Sequence, residues 1–206
     1  MESAALGTQR SPIFRRGPLR PVFWTLMATW VASEVTLQLR SRASAPAHAE
    51  DQLDHGSMAA LIGSVWGAVG GGLAAAANGG RARPRSTRLA VAGGSALMAA
   101  GICLRWWAII ALGEFFTVRV AISPRQRLVQ RGPYLWIQHP GYAGALLTVA
   151  GCLWCCDNRV ALALSPLPVA AFARRVTIEE RALAEQFGAE YRDYAAARKR
   201  LVPFIF

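Results

Sequence analysis

Long apolar runs alternate with short polar loops along most of this chain. A helix that crosses a membrane needs about 20 mostly apolar residues. Runs of about this length lie at 21–38, 57–78, 89–112, 141–156 and 159–173. The pattern predicts an all-α integral membrane bundle of about five transmembrane helices.

The last two runs predict a helical hairpin. Each is short for a straight span, and only Asp157 and Asn158 separate them. Beyond the hairpin, residues 177–199 carry apolar side chains at spacings of three to five, which predicts a C-terminal amphipathic helix in the cytosol. Thr177 and Glu180 fit a capping box at its start.

Three features inside the runs bear on how the helices pack. Glu34 in the first run is costly in lipid, so we expect it to face other helices. Gly63 and Gly67 have the spacing of a helix-packing face, which is equally common by chance in so glycine-rich a run. Arg105 either extends to the headgroup level beside two tryptophans or points into the bundle and fixes a polar site.

Composition supports a membrane location. Of the 206 residues, 53% are hydrophobic and 17% are charged, against about 25% charged in soluble domains. The net charge is +11, but the arginines form short clusters between apolar runs. This distribution favours contact with anionic lipid headgroups and argues against a nucleic-acid partner. Cys152 and Cys155 lie in an apolar run without a second pair, which predicts packing residues and no metal site.

The sequence predicts the orientation in the membrane less clearly than it predicts the helices. Five spans place the loop at 113–140 and the C-terminal region on one side, and this side has more arginines. The positive-inside rule therefore predicts that it faces the cytoplasm. The N-terminal arginines and the basic loop at 79–88 oppose this assignment.

Candidate chemistry lies at both ends of the hairpin. His139 and Tyr142 precede it, and Glu179 and Glu180 follow it. Because a hairpin returns the chain to the side it left, we expect these side chains to converge at one membrane face. Carboxylates suit a ligand with positive charge and ribose hydroxyls. Taken singly, the His is compatible with a structural role and the Glu pair with a solvated helix start.

Three motifs follow one another in the C-terminal half. The first, at 104–117, is L-R-W-W-A-I followed by L-G-E-F-F-T. The second, at 128–144, contains L-V, G-P-Y and H-P-G-Y-A-G. The third, at 179–203, contains E-E, F-G, two separate tyrosines and R-x-x-P. Their order and spacing resemble the isoprenylcysteine carboxyl methyltransferase family of membrane enzymes. The resemblance divides the chain into N-terminal membrane helices at 1–103 and a methyltransferase core at 104–206.

The resemblance implies a function. It is methyl transfer from S-adenosylmethionine (SAM) to a lipophilic acceptor, most simply the carboxyl group of an isoprenylcysteine. It further implies a catalytic pair, Arg175 and Glu180, and no metal. Arg175 would hold the acceptor carboxylate, or it is a positive anchor where its helix leaves the membrane. The residues it places around SAM are Tyr134, Gln138, His139, Tyr142, Glu179 and Glu180. Where the family usually has Arg-His-Pro, this chain has Gln138, which leaves the acceptor class open.

Alternative functions stay open at this point. A phospholipid amine or a small thiol would also suit a membrane-embedded acceptor site. A membrane reductase of the sterol or steroid type, which uses NADPH, has a related helical arrangement in its C-terminal half, although paired glutamates favour the methyltransferase. A scaffold without activity is the third reading. The expected partners are a lipophilic substrate and the lipid bilayer, and no oligomeric state is indicated.

Overall fold

The fold is a bundle of helices. The computed structural model describes residues 11–15, 17–44, 56–79, 88–116 and 127–201. These ranges contain seven α-helices and no β-strand, which confirms the all-α prediction. The helices are α1 (Leu19–Ser44), α2 (Ser57–Ala77), α3 (Arg88–Leu112), α4 (Pro140–Cys155), α5 (Arg159–Ala163), α6 (Pro166–Phe187) and α7 (Ala189–Ala196). Single 3₁₀ turns lie at Gly113–Phe115 and Gly132–Leu135.

Within the described ranges, three helical stretches are long and apolar enough to cross a membrane. They are Ser57–Ala77, Arg88–Phe115 and Arg159–Phe187. Helix α4 is apolar but has only 16 residues, and α1 is not among the three. The predicted integral membrane bundle is confirmed, and α1 and α4 occupy the positions predicted for the other two spans.

Helices from both halves of the chain pack into one bundle. α1 packs on α3, and α2 packs on α5 and α6. The predicted division between residues 103 and 104 falls inside α3. It stays a prediction about which part of the sequence carries the family motifs.

The tip of the hairpin is tied to α2. Asp157 has φ +48°, and the Asn158 side chain accepts a hydrogen bond from the Val160 N–H at 2.8 Å, as an N-cap of α5. The Asn158 amide also donates to the carbonyl of Ala75 at 3.2 Å. The turn between the two apolar runs is therefore anchored to the end of α2.

The second arm of the hairpin differs from the prediction. α6 begins at Pro166, where the missing N–H of proline costs no helical hydrogen bond. It continues unbroken past Thr177, whose hydroxyl donates to the Ala173 carbonyl at 3.0 Å. The predicted N-cap at Thr177 is therefore wrong. The break comes at Gly188, whose φ of +54° ends α6 before α7 begins.

Helices α3 and α4 touch backbone to backbone at four glycines, which we call the glycine contact: Gly94 and Gly101 on α3, and Gly144 and Gly151 on α4. A Cβ on Gly101 would lie 2.5 Å from the Gly144 carbonyl oxygen, and one on Gly151 would lie 2.5 Å from that of Gly94. Small residues permit this approach, which strengthens packing in lipid.

The glycine spacing singled out from the sequence has no such contact. Apart from the nearby part of α2 itself, no described atom lies within 4 Å of the place where a Cβ on Gly63 or Gly67 would sit. Among the described residues this spacing therefore marks no close helix contact and fits a chance occurrence, because small-residue spacing shows where close packing is possible and does not specify which helix faces it.

We expect Gly144→Ala to destabilise the bundle by about 1–3 kcal/mol, since overpacking has this cost in tight cores. The added methyl group would lie 2.6 Å from the Arg105 backbone nitrogen. Thermal unfolding in detergent measures the effect, with Gly63→Ala as the matched control. Equal unfolding temperatures for the two variants would contradict the packing described here.

Candidate active site

A polar pocket with a cavity volume of about 120 Å³ lies where the two ends of the hairpin meet. We call it the polar pocket. Its wall includes the end of α3, the loop before α4, the second half of α6, and α7. Six of the predicted site residues line it: Tyr134, Gln138, His139, Tyr142, Arg175 and Glu179.

His139 lies between the two glutamates. Its Nδ1 is 3.7 Å from Glu179 Oε2, and its Nε2 is 3.5 Å from Glu180 Oε1. The imidazole stacks on the Tyr142 ring, with 5.6 Å between centroids. The predicted convergence of these four side chains is therefore confirmed.

The two glutamates face different neighbours. Glu180 does not line the polar pocket. Its carboxylate accepts two hydrogen bonds from Arg200, at 2.8 and 3.0 Å, and this pairing raises the pKa of the Arg200 guanidinium. Glu179 lines the polar pocket, and its Oε2 is buried without a hydrogen-bond partner among the described residues.

Arg175 is buried inside the bundle, with 1% of its surface exposed. Its Nη1 donates to the Ser57 hydroxyl of α2 at 2.7 Å, and its Nε donates to the Tyr142 hydroxyl at 3.4 Å. It precedes Glu179 by four residues on α6, which places both on one helix face. This position is interior, and it differs from that of a cation anchored at the membrane surface.

A second cavity, which we call the apolar cavity, adjoins the polar pocket. Its cavity volume is about 380 Å³, and its wall consists mainly of apolar side chains of α1, α2, α4 and α6. Four side chains line both spaces: Arg105, Phe116, Tyr142 and Arg175. We call this set the junction.

At the junction, Arg105 points into the bundle. Its Nε and Nη2 donate to the two carboxylate oxygens of Glu34 on α1, at 2.5 and 2.9 Å. Its Nη1 donates to the Gly141 carbonyl at 3.2 Å. The prediction that Glu34 faces other helices is confirmed. Of the two positions considered for Arg105, the interior one is correct.

Gln138 anchors the C-terminal segment. Its Nε2 donates to the carbonyls of Ala195 and Arg198, at 3.0 and 2.7 Å. The backbone N–H groups of Gln138 and His139 bond to the carbonyls of Lys199 and Arg200, both at 2.9 Å. The amide nitrogen of Gln138 is thus used to hold residues 195–200 against the loop that carries His139.

Tyr194 and Tyr134 add to the contacts between the C-terminal segment and the loop before α4. The Tyr194 hydroxyl donates to the Tyr134 carbonyl at 3.0 Å. Burial raises the pKa of Tyr194 to about 12 and that of Tyr134 still higher. Both phenols therefore remain protonated at neutral pH, and the Tyr194 proton is used in its hydrogen bond to the Tyr134 carbonyl.

Sequence reasoning missed several residues of the site. Ser57 carried no signal beyond its place in a helical pattern. Tyr191 stood in the third motif, but its place in the wall of the polar pocket could not be read from spacing. Arg200 stood in a motif, but its partner could not be read from spacing. Within the described ranges, no cluster of His, Cys, Asp or Glu could hold a metal ion.

Comparison with known proteins shows which family the chain resembles. Residues 94–185 match the family model described as isoprenylcysteine carboxyl methyltransferase (ICMT) family. This part of the chain, which is less than half of its length, is similar to the ICMT family. The match begins at Gly94, the first glycine of the glycine contact, and it includes every predicted site residue.

Curated relatives agree with the family match. The chain is 30% identical over 115 residues to a probable protein-S-isoprenylcysteine O-methyltransferase of Oryza sativa subsp. indica, covering 54% of this chain and 60% of the rice protein. It is 33% identical over 117 residues to the protein-S-isoprenylcysteine O-methyltransferase of Rattus norvegicus, covering 55% of this chain and 41% of the rat protein. The aligned part thus spans about three fifths or less of these relatives.

A solved structure supports the fold over almost the whole chain. The structure of the eukaryotic intramembrane Ras methyltransferase ICMT matches with a TM-score of 0.61 and 20% sequence identity. The match covers 94% of this chain and 70% of that chain. The helical membrane arrangement therefore extends beyond the segment that the family model recognises.

Proposed function

We propose that this protein transfers the methyl group of SAM to the carboxylate of a prenylated cysteine or a similar lipophilic acid. One observation carries the proposal. A polar pocket that contains a carboxylate meets an apolar cavity at two arginines, a tyrosine and a phenylalanine. This arrangement suits a polar donor and a lipid-like acceptor that meet at one point, and the ICMT family segment supplies the reaction class.

The residues of the polar pocket fit SAM. Glu179 Oε2 and the Tyr191 hydroxyl are buried polar atoms without a hydrogen-bond partner among the described residues, whereas His139 Nε2 lies 3.5 Å from Glu180 Oε1. A buried polar atom without a partner is costly, and a ligand with an ammonium group and ribose hydroxyls would satisfy both. Glu179, His139, Tyr142 and Tyr191 would hold the group. When bound, SAM supplies a methyl group that its sulfonium cation already activates.

The chain's part in the reaction is mainly positioning. An acceptor carboxylate is ionised at neutral pH and needs no general base. Arg175 presents a planar guanidinium at the junction, and this group is suited to binding a carboxylate. Fixing two reactants in line supplies much of the rate enhancement in such a transfer. We therefore assign Arg175 as the catalytic residue that contacts the acceptor.

Glu180, the other member of the expected catalytic pair, has a positioning role in this proposal. It binds Arg200 and lies 3.5 Å from His139 Nε2. These contacts fix the imidazole and the C-terminal segment beside the polar pocket. Tyr134 and Gln138 complete the wall, the first through its protonated phenol and the second through the carbonyls that it holds.

We place this site on the cytoplasmic face. The segment that closes the polar pocket is rich in positive charge, with Arg192, Arg198, Lys199 and Arg200 within nine residues. Loops with an excess of Lys and Arg usually stay on that side. The acceptor would then reach the junction through the apolar cavity, in contact with the bilayer.

We expect Glu179→Gln to weaken SAM binding by roughly ten- to a hundredfold. The substitution removes one charge-assisted interaction, worth about 1.5–3 kcal/mol. Glu180→Gln should weaken it by less than about tenfold, because that carboxylate faces Arg200. Calorimetry on detergent-solubilised protein measures both, with the exposed Glu185→Gln as control. The assignment would be reversed if Glu180→Gln had the larger effect in a folded protein.

We expect labelled SAM to transfer its methyl group to an S-farnesylcysteine acid in preference to phosphatidylethanolamine or a small thiol.

Arg175→Ala should lower kcat/KM for the acid by about a hundredfold or more while SAM affinity stays near normal. Arg175→Lys should restore only part, since Lys lacks the planar fork. The neighbouring exposed Arg174→Ala is the control.

The same assay tests the alternatives. Labelling of the amine or the thiol, with activity unchanged in Arg175→Ala, would contradict the carboxylate acceptor. Binding of NADPH without binding of SAM would support the reductase reading.

A further inference from the structure

We propose that the stacked side chains of Trp30 and Trp66 form the closed end of the apolar cavity and limit the length of the prenyl chain that an acceptor can carry. The inference rests on the proposed function, which places the tail of the acceptor in this cavity. Both tryptophans lie outside the segment that the family model matches.

The junction marks one end of the apolar cavity. Here Arg175 donates a hydrogen bond of 2.7 Å to Ser57, the first residue of α2. Arg105 contacts Glu34 of α1 at the same end. The carboxylate of the acceptor would lie at this end, so its prenyl chain would extend from here into the remainder of the cavity.

The tryptophan pair lies at the other end. The rings of Trp30 and Trp66 stack with 5.2 Å between their centroids and 23° between their planes, and both line the cavity. Along α2, Trp66 lies about 13 Å beyond Ser57 at the rise of an α-helix. An extended farnesyl chain spans a distance of this order, whereas a geranylgeranyl chain is longer by one isoprene unit.

Packed side chains fill the space beyond the pair. About one turn further lie Met27 of α1, which is 6% exposed, and Val69 of α2, which is 2% exposed. Both belong to the same hydrophobic core as Trp30, and neither lines the apolar cavity. In the part of the chain that the structure describes, the open space of this cavity therefore ends at the tryptophans.

A prenyl chain longer than the cavity would be selected against by packing. Lipid tails are as apolar as the wall of the cavity, so a longer chain gains little by leaving the bilayer, and the fit to the wall decides. Extra methylene groups forced into a packed space weaken binding by about tenfold or more. The apolar side chains along the path are Leu61, Ile62, Val65, Ala145, Val149 and Phe172.

The test compares the binding of three non-reacting cysteine amides that carry a geranyl, a farnesyl or a geranylgeranyl thioether. Affinities are measured in lipid nanodiscs by displacement of a fluorescent prenyl probe. Each variant is compared with the wild type by its ratio of affinities, because the partition of a probe into the bilayer then cancels. We expect Trp66→Ala to raise the ratio of geranylgeranyl to farnesyl affinity by about tenfold.

A second variant shortens the cavity and tests the same limit in the opposite direction. Ile62 lies one turn nearer the junction than Trp66 and is 36% exposed, so a larger side chain has room there. Ile62→Trp should raise the ratio of geranyl to farnesyl affinity by about tenfold. This variant leaves the stacked pair intact, and it carries the test if Trp66→Ala does not fold.

Two controls separate chain length from a general loss of packing. Trp66→Phe keeps an aromatic ring and should shift the ratio less than Trp66→Ala. Trp107→Ala removes a tryptophan that is 44% exposed and does not line the apolar cavity, and it should leave the ratios unchanged. Unchanged ratios in folded Trp66→Ala or in Ile62→Trp, or an equal shift in Trp107→Ala, would overturn the inference. The prenyl chain would then leave the cavity sideways into the bilayer.

These ratios are independent of turnover. Shifted ratios in a protein that transfers no methyl group would uphold the limit on chain length and reject the proposed function. Normal methyl transfer to the farnesylcysteine acid with unchanged ratios would reject the limit and retain the function.

Discussion

The close approach of α3 and α4 is the constraint on which the site depends. Between helices in lipid, association relies on van der Waals packing and hydrogen bonds, and the glycine contact provides the first. A Cβ on Gly144 would lie 2.6 Å from the Arg105 backbone nitrogen. This proximity places the Arg105 guanidinium at the Gly141 carbonyl, one residue from Tyr142. The junction is therefore positioned by backbone contact, and side chains complete it.

Helix geometry then points the two glutamates toward different neighbours. Successive residues of an α-helix point about 100° apart, so neighbours in sequence cannot face one site equally. On α6, Glu179 shares a face with Arg175 and lines the polar pocket, while Glu180 faces Arg200 and the C-terminal segment. His139 lies between the two carboxylates and links them. Two adjacent glutamates in one motif thus place one carboxylate in the polar pocket and the other against Arg200.

The sequence predicted the features that periodicity and chain reversal determine. The lengths of the apolar runs predicted the helices, and the hairpin predicted the convergence of His139 with Glu179 and Glu180. The prediction was wrong where one local pattern fits two structures. Thr177 fits a helix N-cap, yet its hydroxyl is equally satisfied by the Ala173 carbonyl inside a helix. The contact between Glu34 and Arg105 joins residues 71 positions apart. Each residue stood out as a charge in an apolar run, but their pairing follows from how α1 packs on α3.

The central claim is that the acceptor lies in the apolar cavity and meets the donor at the junction. Photolabelling with a prenylcysteine acid that carries a diazirine on its prenyl chain tests this claim most directly. The account predicts that the label attaches to side chains of the apolar cavity, such as Met58, Ile62 or Trp66. A separate apolar groove, lined in part by Leu147, Ala150 and Val169, lies elsewhere on the bundle. Labelling confined to that groove would contradict the account.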